Sequence, residues 1–235
     1  MNLNNEQMLK TMLEMQQTLN DDTNGKGWES GYNKYDRIIS WKRCIYMECT
    51  ELIDSFTWKH WKNINGSPDW QNIQIEVIDI WHFIMSLALE YYHNNKIGGI
   101  DEITSYIMDN KSFKTFCKEP KNIKNVNQME IINQVERIIH ITSGIHNNPF
   151  EMILSEYFTV AHNCGLNLYS LYKVYVGKNV LNKFRQDNGY KEGTYKKLWG
   201  DVEDNITMNK IINEQPKITP NQLYKELEKA YQKIA

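Results

Sequence analysis

The sequence predicts an all-α protein, and three observations carry that reading. Apolar residues recur at spacings of three and four in segment after segment. Only 5 prolines and 12 glycines occur in 235 residues, too few for a turn-rich β architecture. No segment alternates apolar and polar residues convincingly. Hydrophobic residues at 41% and charged residues at 24% describe an ordinary globular chain, long enough for one large domain or two small ones.

The elements follow in order. Leu9, Met12, Leu13 and Leu19 set the phase of a first helix over 4–20. A loop rich in Asn, Gly and Asp occupies 20–40, and Ser40 is a candidate N-cap for a helix over 41–58. That helix stops before the turn-prone 63–69, which holds Gly66 and Pro68. A long helix spans 70–94, and Gly98 and Gly99 break the chain. A helix over 101–117, a polar loop around Pro120, and helices over 127–142, 150–163 and 167–185 come next. The segment 187–204, rich in Gly, Lys and Asp, reads as a loop before terminal helices over 203–213 and 220–234. We expect a single domain over 1–235, with a helical core at about 4–94 and 127–200 and a looser helical insertion at about 97–126.

A formal net charge of −2 gives no global field for a nucleic-acid partner, so any anion site must rest on a local cluster. The first twenty residues lack the basic and apolar runs of a signal peptide. The most apolar window, 73–92, is interrupted by Glu76, Asp79, His82 and Glu90, which predicts a buried helix and no membrane span. Cys44, Cys49, Cys117 and Cys164 are scattered without CxxC spacing, as reduced packing residues of a cytoplasmic protein would be. Seven Trp and fourteen Tyr suit either a large core or pockets for flat ligands.

Two pairs of acids, Glu48/Glu51 and Glu76/Asp79, sit three residues apart on predicted helices, so each pair shares a face. In 41–58 the stripe holding Glu48 and Glu51 also holds Trp41, Cys44, Ser55 and Trp58. Lys42, Arg43, Thr50 and Asp54 gather on the other side, so the pair is expected to face inward. In 70–94 the one polar stripe is Glu76, Asp79, Ser86 and Glu90, and a narrow solvated stripe would explain it equally well. Buried carboxylates need a cation, and neither stripe carries Lys or Arg. All-oxygen ligands select Mg²⁺, Mn²⁺ or Ca²⁺, and four acids leave room for two or more ions. Such a group binds phosphate-containing substrates and activates water. Donors for phosphate oxygens lie in 177–197: Lys178, Asn182 and Arg185 share a helical face, and Asn188, Lys191 and Lys197 follow in a Gly-containing loop. Taken alone, that segment reads more readily as a basic, solvated helix end and loop.

Together, MECTELIDSFTWKHWK (47–62), IEVIDIWHF (75–83), GKNVLNKFRQDNGYKEGTYKK (177–197) and QQTLNDDTNG (16–25) resemble the dimeric dUTPases. The resemblance runs from about residue 8 to residue 205 and is looser over 97–150. The two acidic pairs alone would indicate only the wider all-α NTP pyrophosphohydrolases, which include MazG-like and dCTPase-like enzymes. The resemblance implies Glu48, Glu51, Glu76 and Asp79 as Mg²⁺ ligands, with Glu48 also the base for the attacking water. It implies Gln16 and Asn20 as uracil contacts, with Gln17 the alternative one position along. His82 and Phe83 would line the base and sugar pocket. Asn182 would contact the deoxyribose hydroxyl, and Lys178, Arg185, Asn188, Lys191 and Lys197 the phosphates. The implied activity is Mg²⁺-dependent conversion of dUTP and dUDP to dUMP by a homodimer, limiting uracil in DNA. Competing expectations are pyrophosphohydrolysis of another nucleotide, or a non-catalytic helical module whose acids hold a structural ion.

Overall fold

The computed structural model describes residues 3–62, 65–123, 126–144 and 149–233. Parts of the expected turn at 63–69 and insertion at 97–126, and the last residue of the helix expected at 220–234, lie outside the described residues. The all-α expectation holds. The described residues form ten α-helices, a 3-10 turn at Trp28–Ser30 and a small two-stranded hairpin. They are α1 (Asn5–Asn24), α2 (Trp41–Asp54), α3 (Trp70–Asn95), α4 (Ile100–Asp109), α5 (Lys111–Phe116), α6 (Gln128–Ser143), α7 (Phe150–Asn163), α8 (Leu168–Asp187), β1 (Leu198–Trp199), β2 (Val202–Glu203), α9 (Asp204–Glu214) and α10 (Pro220–Gln232).

Helix starts follow capping chemistry. Asn4 Oδ1 accepts from the Gln7 backbone N–H at 2.8 Å, and Gln7 Oε1 accepts from the Asn4 N–H at 2.9 Å. Ser40 caps α2 by accepting from Arg43 N–H, and Asp69 caps α3 by accepting from Asn72 N–H at 3.0 Å. Boundaries differ from the sequence reading in four places. α1 runs on to Asn24, so Asn20 sits inside a regular helix. α2 stops at Asp54 instead of 58, and the Ser55 carbonyl just beyond it accepts from the returning Asp69 N–H at 3.1 Å. The helix expected over 101–117 divides at Asn110, whose extended backbone ends α4 while its side chain caps α5. The expected loop 187–204 contains the hairpin, with Leu198 opposite Glu203, Trp199 opposite Val202, and Gly200 at φ +68° in its turn.

The chain forms two compact units, Met1–Leu171 and Tyr172–Ala235, and the boundary falls within α8; the sequence reading drew no such boundary. In the first unit α3 is the central helix, packed by α1, α2 and α7, while α6 lies against α2 and α7. By length and composition α3 could cross a membrane, yet 78% of its most apolar window is buried in the structure. Trp81 of α3 stacks on Tyr157 of α7 with ring centroids 5.2 Å apart, and Tyr157 donates its hydroxyl hydrogen to the Val77 carbonyl at 3.1 Å. The 97–116 stretch is integrated into this unit, since Ile103, Ile107, Phe113 and Phe116 are buried and α4 and α5 pack on α1 and α7. The second unit has its own core, built from Leu181, Phe184, Trp199, Met208, Ile212, Leu223 and Leu227.

Candidate active site

The polar stripe of α3 is not solvated. Glu76, His82 and Ser86 are buried, and Asp79, Phe83 and Glu90 are half-buried. On α2 the core face is Trp41, Ile45, Cys49 and Leu52, with Glu48 half-buried on its flank. One turn further on, Glu51 is exposed, which corrects the inward orientation expected for both members of the pair. Trp58, placed on that same inward stripe by the sequence reading, is exposed and lies beyond the end of α2. The core face centres on Ile45, Cys49 and Leu52, one residue round from the expected stripe; Glu48 and Glu51 lie about 60° apart on the helix, so Glu48 falls at the edge of that face and Glu51 outside it.

Glu48, Glu76 and Asp79 bring one carboxylate oxygen each to within 4.8 Å of one another. Glu76 is further held by Asn72, whose Nδ2 donates to Glu76 at 3.1 Å and to Ser55 Oγ at 2.8 Å. Burial pushes the Glu48 carboxyl up to about 8, and the charges of Asp79, Glu51 and Glu76 add to the rise, as does a side-chain hydrogen bond with Glu76. Crowded acids in a half-buried setting are what a divalent cation relieves, and a purely carboxylate donor set suits a hard ion. The residues therefore fit a divalent metal. Glu51 stands outside this tight group, on the wall of a cavity of about 540 Å³ that also exposes Glu76, Asp69, Asn72, Lys59 and Lys62.

Along the same stripe, α1 meets α3 through a buried polar group. Gln16, Asn20, His82 and Ser86 are each no more than 4% exposed. Gln16 Nε2 donates to Ser86 Oγ at 3.0 Å and to Asn20 Oδ1 at 3.1 Å, Asn20 Nδ2 donates to Ser86 Oγ at 3.0 Å, and His82 Nδ1 lies 2.7 Å from Gln16 Oε1. Gln17 points elsewhere, donating to Asp21 and Glu29. Phe83 stacks on Trp41 with centroids 6.1 Å apart, and Trp41 meets the edge of Trp28. The indole of Trp28 donates to Asp21 at 3.1 Å. This side of α3 thus offers amide donors and acceptors beside flat aromatic faces.

In the second unit, Lys178 and Arg185 are buried and Asn182 and Asn188 half-buried, while Lys191 and Lys197 are exposed. Arg185 Nε and Nη2 donate to the two oxygens of Asp204 at 2.8 and 2.7 Å, and Nη1 donates to Asn182 at 3.3 Å. Asp204, 1% exposed, also accepts from the Tyr195 hydroxyl at 2.8 Å and from the Asn205 N–H at 2.8 Å. Lys178 Nζ donates to Asn205 at 2.9 Å, and Asn188 Nδ2 donates to the Phe184 carbonyl at 2.8 Å. Lys197 Nζ lies 5.7 Å from the Tyr190 ring centroid.

Among known families, the dUTPase model matches residues 8–190. The chain belongs to the dUTPase family. Within it the relevant branch is the all-α dimeric one, as the four motifs indicated. No curated protein matches the chain in a sequence comparison. Membership makes the protein a hydrolase of nucleoside triphosphates, and dUTPases generally depend on a divalent metal, in keeping with the carboxylate group of Glu48, Glu76 and Asp79. The matched span covers both acidic pairs, the amide pair of α1, and Lys178, Asn182, Arg185 and Asn188, while Lys191 and Lys197 fall beyond it. Sequence reasoning did not single out two polar residues of these groups. Ser86 was visible only as a member of the α3 stripe, and Asp204 falls beyond the matched span, with nothing nearby in sequence to tie it to Arg185.

Proposed function

We propose that the protein hydrolyses dUTP to dUMP and pyrophosphate, and dUDP to dUMP and phosphate, with Mg²⁺ as its cation, and so limits uracil in DNA. The observation that carries this reading is that one helix, α3, brings two acids of the carboxylate group and the buried amide pocket to neighbouring turns. Glu48, Glu76 and Asp79 would hold the cation, with Glu51 joining from the cavity wall. When bound, Mg²⁺ supplies charge neutralisation on the phosphate chain and acidifies water. Glu48 takes up the proton of the water that attacks the β-phosphorus, and dUMP departs as the P–O bond to the α-phosphate breaks. Gln16 and Asn20 hold the uracil edge, and His82 and Phe83 line the base and sugar pocket. Asn182 contacts the deoxyribose hydroxyl, and Lys178, Arg185, Asn188, Lys191 and Lys197 serve the phosphates.

The functional form is a homodimer, a reading supported by family membership and by exposed Met47, Met129 and Met152 on α2, α6 and α7. All four cysteines are free thiols, in keeping with a cytoplasmic setting. The test is a panel of dUTP, dUDP, dCTP, dTTP and a noncanonical purine triphosphate, read by pyrophosphate or phosphate release with and without Mg²⁺. Hydrolysis of dUTP and dUDP only with the metal is expected, and Glu48→Gln and Asp79→Asn should each lower turnover by about 10²-fold or more. Preference for another nucleotide, or near-normal turnover in either variant, would overturn the assignment.

A further inference from the structure

Ser86 lies fully buried on α3, one turn after His82, and its hydroxyl touches three polar groups. That hydroxyl carries one hydrogen. It donates to the His82 carbonyl oxygen at 2.9 Å, a partner that can only accept. Toward the two amides, each 3.0 Å away, Ser86 Oγ can therefore only accept. Gln16 and Asn20 must both turn their NH₂ groups to it. Gln16 Oε1 is then left facing His82 Nδ1 at 2.7 Å, so Nδ1 is the nitrogen that carries hydrogen. Asn20 Oδ1 takes the other hydrogen of the Gln16 amide at 3.1 Å. One hydroxyl hydrogen thus orders two amides and one imidazole tautomer.

Packing cannot do this by itself, because an amide turned by half a revolution keeps its shape and exchanges donor for acceptor. Uracil and cytosine differ by that same exchange. Uracil offers N3–H as donor beside O4 as acceptor, and cytosine offers N3 as acceptor beside its amino group as donor. Amides free to turn would serve both bases, whereas amides held one way serve one.

We propose that Ser86 is a positioning residue for base selection, its hydroxyl holding the Gln16 and Asn20 amides in the single orientation that takes uracil and rejects cytosine. This rests on the reading that Gln16 and Asn20 contact the base, and the experiment separates the two. The ratio of kcat/KM for dUTP over dCTP is measured in the full-length protein with Mg²⁺, for the wild type, Ser86→Ala, Gln16→Ala and Asn20→Ala. Imidazole ¹⁵N shifts report the tautomer of His82 in the wild type and in Ser86→Ala. Ser86→Ala is expected to lower the ratio about tenfold or more, mainly through KM, with kcat for dUTP falling far less. His82 should pass from the Nδ1–H form to a mixture of tautomers. Ser86→Cys, close in size but with a weakly bonding thiol, is expected to show the same loss and decides the matter if the alanine variant does not fold. An unchanged ratio in a folded Ser86 variant, with the ratio collapsing in Gln16→Ala or Asn20→Ala, overturns the role of Ser86 and leaves the base contacts standing. An unchanged ratio in all the variants overturns both.

Discussion

Replacing Asp204 with alanine removes the anion that holds Arg185 in the second unit. The side chains of Arg185 and Asp204 are 9% and 1% exposed, so neither charge has water to fall back on. Alanine deletes two charge-assisted hydrogen bonds, from Arg185 Nε and Nη2, along with the acceptor for Tyr195 and for the Asn205 N–H. Breaking one side of a buried pair costs about 3–5 kcal/mol, because the surviving guanidinium stays buried without its counter-charge. In urea, at a slope of about 2 kcal/mol/M, that lowers the unfolding midpoint of this unit by about 2 M. Hydrogen exchange of the α8, α9 and α10 amides during the titration assigns the loss to the second unit. The companion variant, Arg185→Met with Asp204→Leu, replaces the whole pair by apolar groups and is expected to lie within about 1 kcal/mol of the wild type. A midpoint shift under about 0.5 M for Asp204→Ala, or a double variant as unstable as the sum of its singles, refutes this account.

Two further outcomes concern single residues. Burial pushes the Glu90 carboxyl up to about 7 from its ordinary 4.5, the Glu29 charge adding to the rise and Lys42 opposing it. A carboxyl raised by folding binds protons more tightly in the native state, so its contribution is fully present below about 4.5 and is lost as pH rises through about 7. Glu90→Gln is therefore expected to stabilise the protein at pH 8 by about 1 kcal/mol, after discounting for partial exposure, and to leave pH 4 unchanged in thermal melts. A variant that follows the wild-type pH dependence would contradict this. Gly189 has φ +88°, and the side chain of Thr194 sits where a Cβ would go. Gly189→Ala should cost about 1–2 kcal/mol and lower the melting temperature of the second unit by several degrees, and an unchanged melt would show that the 188–195 turn relaxes freely.

Much of the fold was legible because helical periodicity and capping are local. Ser40, a single candidate cap in the sequence, is the observed cap of α2, and the apolar run of α3 is buried as its interrupting acids implied. The break at Asn110 was missed because the sequence Asp109–Asn110–Lys111 holds no Gly or Pro, only an Asn whose capping ability emerges once its side chain can accept from Phe113 N–H. The phase of α3 was read correctly and that of α2 only in part. α3 is apolar almost all round, so its polar stripe stands out, whereas α2 mixes Trp, Cys and Ser with its acids and leaves the core face ambiguous by one residue. Long-range partners were out of reach of spacing rules. Ser86 meets Gln16 across 70 residues, and Arg185 meets Asp204 across 19, with a hairpin between them.

The shared stripe of α3 bears on how this enzyme can change. Glu76, Asp79, His82, Phe83 and Ser86 belong to one uninterrupted helix. Adding or losing a single residue after Asp79 would swing everything beyond it by about 100° and carry His82 and Ser86, with the amides they hold, out of step with the acids. Substitutions can alter this stripe one side chain at a time, but changes in length cannot. Over evolutionary time this helix should tolerate new letters at many positions while admitting no insertion or deletion between Glu76 and Ser86, a rule imposed by helical pitch and not by any single contact.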